Sequence, residues 1–362
     1  MEERDYILWI NLLKTINVKI FYGLYDYFED IKSVFHTSHD ELLSCPIIDE
    51  KIILEIVTSK EECLLEKHVE LLQKKQIKYM TIQDKEYPTI LKNIHLPPPV
   101  IYYCGQVETS LFENCISIVG SRNASYYGIR MSEQIALDLA HSGITVVSGL
   151  ARGIDSMAHI GALKGKGKTI AVLGNGLDIV YPKENKHLYK EITEKGLVMS
   201  EFPPGTQPIH YNFPRRNRIV SGLSLGTVVI EAASKSGSLI TAKYALEQGR
   251  EVYALPGNVN TPNSKGTNLL IKDGAKIVTS CKDILEDIFP MFSAKSKEKE
   301  EINPVDLNED EKQILKYIKM GYWDADKLHQ KMNLPINAIH YILTTLEIKN
   351  KIVIHKGSYF VK

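Results

Sequence analysis

The sequence predicts an α/β protein built on a doubly wound parallel sheet. Two observations carry that expectation, and a third points to what the sheet holds. Between Ile116 and Phe289, short β-rich runs alternate with glycine turns and helical stretches, the pattern of strands joined by helical crossovers. Glycine loops follow the strand-like runs repeatedly, and such sheets bind ligands at the loops on the carboxyl ends of their strands. The third observation is arginine usage. The chain has eight arginines against thirty-six lysines, and seven of the eight lie between Arg122 and Arg250. Guanidinium suits bidentate phosphate contacts and stacking on bases, whereas a flexible ammonium mainly supplies charge.

In order, a strand at Val100–Cys104 leads into candidate strands Ile116–Val119, Thr145–Val147, Thr169–Leu173, Leu197–Met199, Thr227–Ile230 and Val252–Leu255. Helices are expected at Tyr127–His141, Ile154–Leu163, Lys186–Glu194, Asn217–Leu223 and Ser238–Glu247. This main domain spans residues 81–290. Before it, residues 1–80 carry apolar residues at helical spacing in Tyr6–Ile16, Ile20–Phe28, Ser38–Leu43 and Glu50–Gln76. The turn L-S-C-P-I-I at 43–48 lacks the glycine usual between the helices of a DNA-binding hairpin, so both a DNA contact and a structural or partner-binding role stand open. A bridge with Tyr87–Pro88 and Pro97–Pro99 joins the two domains. Residues 291–304 alternate in charge and read as a flexible linker. Residues 305–362 give three helices, Asn308–Met320, Asp324–Met332 and Pro335–Asn350, then two strands within Ile352–Val361 around His355–Lys356–Gly357. That is the outline of a winged helix. Its third helix has no lysine between Pro335 and Ile348, which favours protein docking over duplex recognition.

The formal net charge is zero, so a bulk electrostatic coat on duplex DNA is excluded and any nucleic-acid affinity must come from a local patch. The five cysteines are scattered, odd in number and without paired metal spacing, which fits reduced thiols better than disulfides or zinc. The opening M-E-E-R-D-Y lacks the apolar core of a signal peptide, and no apolar run approaches ~18 residues. A soluble, cytoplasmic protein is expected.

Four loops carry the candidate chemistry. The first is Gly120-Ser121-Arg122. The second runs from Ser148 and Gly149 through Arg152 and Gly153, where backbone N–H groups and the following helix start favour an anion. The third is Gly174–Asp178. The fourth, Glu231–Ser238, contains Lys235, Ser236 and Ser238 and leads to Lys243. None matches G-x-G-x-x-G or G-x-x-x-x-G-K-S/T, so no nucleotide cofactor is expected. The stretch H-Y-N-F-P-R-R-N-R at 210–218 adds His210, Phe213, Arg215, Arg216, Asn217 and Arg218. An aromatic among guanidiniums can stack a base while the arginines hold its phosphates, an arrangement that prefers single strands. Phe213 also reads as a core residue, and Asn217 as either a base contact or a local cap. Asp155 and His159 read as a helix cap and a packed residue rather than an acid–base pair. Glu231 reads as a general base or as a holder of basic side chains. No established catalytic signature is present, and no reaction is assigned.

Together these strings resemble the DNA-processing protein A (DprA/Smf) family: I-V-G-S-R at 118–122, S-G-L-A-R-G-I-D-S-M-A-H at 148–159, V-L-G-N-G-L-D-I-V-Y-P at 172–182, S-E-F-P-P-G at 200–205, F-P-R-R-N-R-I-V-S-G-L-S at 213–224, E-A-A-S-K-S-G-S-L-I-T-A at 231–242 and Y-A-L-P-G at 253–257. The resemblance implies a helical SAM-like domain, an extended Rossmann-like sheet domain and a winged-helix unit. It further implies a non-enzymatic protein that binds incoming single-stranded DNA in natural transformation, protects it, loads the RecA recombinase and dimerises through the Rossmann-like domain. The family's DNA pocket maps onto Arg122, Phe213, Arg216, Asn217 and Arg218, with Lys235 and Ser236 as neighbours. The chain departs from some relatives at His210, where they carry lysine. Two other classes stand beside this one. Gly226-Thr227 and Glu231 faintly resemble nucleotide phosphoribohydrolases, but without their P-G-G and with the glutamate shifted by one. A winged-helix regulator of duplex DNA is the third.

Overall fold

The computed structural model describes residues 1–61, 63–288 and, within 307–361, all but 321, 323, 333, 350, 356 and 357. The expected linker at 291–304 and most of the expected turn at His355–Lys356–Gly357 lie outside the described residues. The chain divides into two compact units, 1–294 and 295–362.

In the first unit nine strands form one sheet: β1 (Lys78–Thr81), β2 (Val100–Gly105), β3 (Cys115–Val119), β4 (Thr145–Ser148), β5 (Thr169–Leu173), β6 (Leu197–Ser200), β7 (Gly226–Val229), β8 (Glu251–Ala254) and β9 (Lys276–Ile277). Their spatial order is β1-β2-β6-β5-β4-β3-β7-β8-β9. The seven strands from β6 to β9 are parallel, whereas β2 pairs antiparallel with both β1 and β6. The predicted doubly wound parallel sheet is therefore present, extended at one edge by an antiparallel pair. β1 falls at the end of the block expected to be helical, and β9, with just two residues, is too short to show periodicity.

The chain runs outward from β3 through β4 and β5 to β6, then returns across β3 to form β7 on its other side. The crossovers leaving β3 and β7 consequently diverge, and a crevice opens between their carboxyl ends. One sheet face buries Ile116, Ile118, Val146, Val228 and Ile230 against helices Tyr126–His141 and Ile154–Lys164. The opposite face buries Val147, Val172 and Val229 with Ile219, Val220 and Ala242 from helices Asn212–Gly222 and Gly237–Glu247.

Helix Asn212–Gly222 begins five residues earlier than its predicted start at Asn217. Pro214 lies in its first turn, where the backbone N–H it lacks would have no partner inside the helix in any case. Phe213 through Arg218 thus sit on a helix whose 3.6-residue repeat sends neighbours to different faces.

Six helices precede the sheet, Glu3–Asn11, Val18–Phe28, Ile31–His36, His39–Leu43, Glu50–Glu61 and Leu64–Lys75. Side-chain caps fix several starts: Asn17 accepts from the Ile20 N–H, Asp30 from Ser33, and Ser38 forms a reciprocal box with Glu41. The expected single helix over Glu50–Gln76 is two, separated at Cys63, whose φ of 47° is left-handed. Ile7, Trp9, Phe21 and Leu24 pack in one core with Val100, Tyr102, Leu173 and Val198 of the sheet, and Trp9 Nε1 donates to Ser59 Oγ at 3.1 Å.

The second unit has helices Glu309–Lys319, Ala325–Met332 and Ile336–Ile348, then an antiparallel pair Ile352–His355 and Ser358–Val361. Its core contains Ile314, Ile318, Leu328, Ile339 and Leu343. The first helix is capped by Asn308 and Glu311, and Lys349 Nζ reaches Glu311 at 2.7 Å.

Candidate nucleic-acid interface

At the β3–β7 switch point lies an open cleft of about 520 Å³. The loop after β3 supplies Gly120, Ser121, Arg122 and Asn123. The loop after β4 supplies Gly149 and Ala151, and the loop after β7 supplies Lys235, Ser236 and the start of helix Gly237–Glu247. Helix Asn212–Gly222 forms the remaining wall with Phe213, Pro214, Arg216, Asn217 and Val220, and His210 precedes it. Phe213, Arg216, Asn217 and Val220 recur at i, i+3, i+4 and i+7, one face of the helix.

The glycines let these loops approach closely. Gly153 has φ of 76°, and a Cβ there would overlap the Ser121 carbonyl oxygen. A Cβ on Gly149 would lie 2.5 Å from Arg216 Nη2. Ser236 caps helix Gly237–Glu247 by accepting from the Ser238 N–H, so the positive end of that helix faces the cleft.

Cations at the rim and the floor behave differently. Arg122, Lys235 and His210 are exposed, and among the described residues Arg122 and Lys235 enter no salt bridge. The Arg122 guanidinium lies 5.4 Å from the centroid of the Phe213 ring, within cation–π range. Phe213 is half-buried, and its ring also meets Tyr181, 5.6 Å away and 41% exposed.

Arg216 forms the floor. It is 4% exposed and donates from Nη1 to the Gly149 carbonyl at 2.9 Å and to the Val172 carbonyl. Burial pushes its pKa down to about 10, against the attraction of Asp155, so it stays charged at neutral pH. Burial pushes the Asp155 carboxyl up, opposed by Arg216 and by N–H groups of Ala151 and Gly149. Asp155 Oδ2 accepts from the Gly149 N–H at 3.2 Å; it braces the loop two residues inside its helix, rather than serving as the expected cap. His159 is fully buried with Nδ1 2.7 Å from Thr169 Oγ1, and burial with the nearby Arg216 holds it neutral, its pKa pushed down to about 3.

Several expected contacts are placed elsewhere. Arg218 lies on the opposite face of its helix, 2.5 Å from buried Glu201 and 2.8 Å from the Leu96 carbonyl. Arg215 stands on that side too, over the Phe202 ring at 5.4 Å. Ser148 Oγ donates to the Ile118 carbonyl inside the sheet at 2.6 Å. Arg152 pairs with Glu184, and Lys243 lies 3.6 Å from Glu247 on an exposed helix face. Asn217 Oδ1 accepts from Arg216 Nε, and its Nδ2 reaches the Gly237 carbonyl at 3.3 Å. It ties two cleft walls together instead of capping a turn. Among the described residues Glu231 holds neither arginine nor lysine: its carboxylate accepts from the Ser125 N–H at 2.8 Å, from Ser125 Oγ and from Asn263 Nδ2. Tyr181 and Asn123 escaped sequence reasoning. The V-Y-P string carried a signal for Tyr181, an aromatic ending a glycine loop.

Residues 78–289 match the family model of DNA recombination-mediator protein A. The chain is 43% identical over 212 residues to DNA processing protein DprA of Bacillus subtilis, covering 59% of this chain and 71% of that protein. It is 37% identical over 289 residues to protein Smf of a Synechocystis strain, covering 79% and 73%. Among solved structures, DNA processing protein A from Streptococcus pneumoniae matches with a TM-score of 0.70 and 35% identity, over 78% of this chain and 97% of that one. The Helicobacter pylori protein, whose structure concerns its single-stranded DNA binding mode, matches with 0.53 and 30%, over 61% and 98%. The match covers every strand that frames the cleft, and the chain belongs to the DNA recombination-mediator protein A family.

Proposed function

We propose that this recombination mediator binds single-stranded DNA in the cleft at the β3–β7 switch point, protects it and presents it to RecA during natural transformation. The observation that carries the reading is Phe213, half-buried at the cleft wall with the Arg122 guanidinium 5.4 Å from its ring. The ring lines the cleft and can stack a base, while Arg122, Lys235 and the start of helix Gly237–Glu247 meet the flanking phosphates. Duplex bases are already stacked and have no face to offer. The relationship to the Helicobacter pylori protein supports the same ligand.

The protein acts by binding rather than by catalysis. Both oxygens of Glu231 are taken up by Ser125 and Asn263, so the glutamate that suggested a phosphoribohydrolase braces the loop after β3. A homodimer through the sheet domain fits the exposed apolar side chains Leu269 and Ile277 near the β9 edge. No helix among the described residues is long and apolar enough to cross a membrane, and a cytoplasmic location fits the proposed work on DNA. The modules proposed are the helical part to residue 80, the sheet domain 81–290 and a winged-helix unit 305–362.

Competition between single-stranded and duplex DNA at several salt concentrations tests the reading. Preference for the single strand, with a log–log salt slope of about −0.7 per contacted phosphate, is expected. Equal affinity for both forms would overturn it.

A further inference from the structure

The far side of helix Asn212–Gly222 carries a second groove, of about 360 Å³. Val18 and Lys19 at the start of helix Val18–Phe28, His95 and Leu96 of the bridge, Arg215 and Tyr244 line it. Its charges are unevenly used. Arg218 is committed to Glu201, and Glu247, the acidic residue of the lining, lies 3.6 Å from Lys243. Lys19 and Arg215 enter no salt bridge among the described residues, and Arg215 is held in place over Phe202. Val18, Leu96 and the Tyr244 ring give the groove an apolar side. Gln248 also lines it. The Gln248 Nε2 donates to the Arg218 carbonyl at 2.8 Å.

Two cations beside an aromatic and apolar wall match what one nucleotide presents: a phosphate and a flat base. The groove and the cleft lie on opposite sides of one helix, with Arg215 in the groove and Pro214 and Arg216 in the cleft. A helix is about 10–12 Å across, a distance covered by about three nucleotides at the ~3.4 Å rise of a stacked strand. We propose that this groove is a second nucleotide subsite, which takes up the single strand after it leaves the cleft and so draws the N-terminal helical part into DNA binding. The inference rests on the single-strand reading of the cleft.

The test measures affinity against oligonucleotide length for the full chain, using homopolymeric DNA from about four to sixteen nucleotides. Wild type gains affinity at the length that bridges cleft and groove. Lys19→Glu, an exposed change outside the core, keeps short-oligonucleotide affinity but loses about tenfold of the gain with length. Tyr244→Ala loses part of the same gain with little change in salt slope, and a thermal melt verifies that it folds. Lys19→Arg restores the wild-type profile. Identical length profiles in wild type and Lys19→Glu overturn the subsite, while Arg122→Ala still weakening every length leaves the cleft reading intact. If Arg122→Ala has no effect at any length, the cleft reading fails and the subsite fails with it. A groove that binds free mononucleotide without any length-dependent gain also overturns the proposal.

Discussion

The rim and the floor of the cleft are both cationic, yet their charges are put to opposite uses. Arg122 and Lys235 stand in solvent without salt bridges among the described residues, whereas Arg216 is buried and donates to two backbone carbonyls. A solvated cation can exchange counterions for a phosphate at little cost to the fold. A buried one has already been exchanged into protein hydrogen bonds and ties the loop after β4 and strand β5 to its own helix. Arginine count alone therefore overstates the phosphate track: of the three arginines at 215–218, only Arg216 faces the cleft, and it faces it as floor.

The sharpest break of this comparison is Arg216→Ala. It leaves the Gly149 and Val172 carbonyls without their donor and Asp155 without its compensating charge. We expect a loss of about 3 kcal/mol in unfolding free energy by denaturant titration. Unchanged stability would mean that Arg216 is rim rather than floor.

Acid should strain the floor next. His159 is pushed down to about 3 in the folded state from an unfolded value near ~6.5. The unfolded chain thus takes a proton that the folded chain refuses, and stability is lost as pH falls from ~6.5 towards 3. His68, pushed down to about 4 by burial, adds to the same slope. Between pH 7 and 5, His159→Gln should lose ~2 kcal/mol less stability than wild type. Parallel stability–pH curves for the two proteins would refute this.

Phe213→Ala tests the boundary between rim and floor. The expected loss is about 1–3 kcal/mol in single-strand affinity with an almost unchanged salt slope. A drop in melting temperature with normal affinity per folded molecule would instead make the ring a core element.

The smallest effects belong to the rim itself. Arg122→Ala and Lys235→Ala should leave the melting temperature alone, weaken binding evenly across sequences and flatten the salt slope by about 0.7 each. Arg218→Ala, by contrast, should destabilise the fold through stranded Glu201 and leave the slope unchanged. If Arg218→Ala flattens the slope as Arg122→Ala does, the division between faces of helix Asn212–Gly222 is wrong.

Strand alternation, glycine loops and ordered motifs were enough to determine the doubly wound sheet, six of its seven parallel strands and the loops that meet at the cleft, because these rest on local periodicity and turn chemistry. Gly120, Arg122, Phe213, Lys235 and Ser236 were legible for the same reason: each lies in a loop or helix start next to a recognisable strand. Which arginine meets solvent was not legible. Residues 215, 216 and 218 are neighbours in sequence but 100° apart per step around a helix, and that helix starts at Asn212, with Pro214 accommodated in its first turn. The antiparallel β1–β2 edge, the shared core between Trp9 and the sheet, and the role of Glu231 as a brace for Ser125 likewise depend on partners tens of residues away. Local pattern fixes elements and the ends where ligands gather. Only packing decides which side of an element is buried, and so which charges remain free to bind.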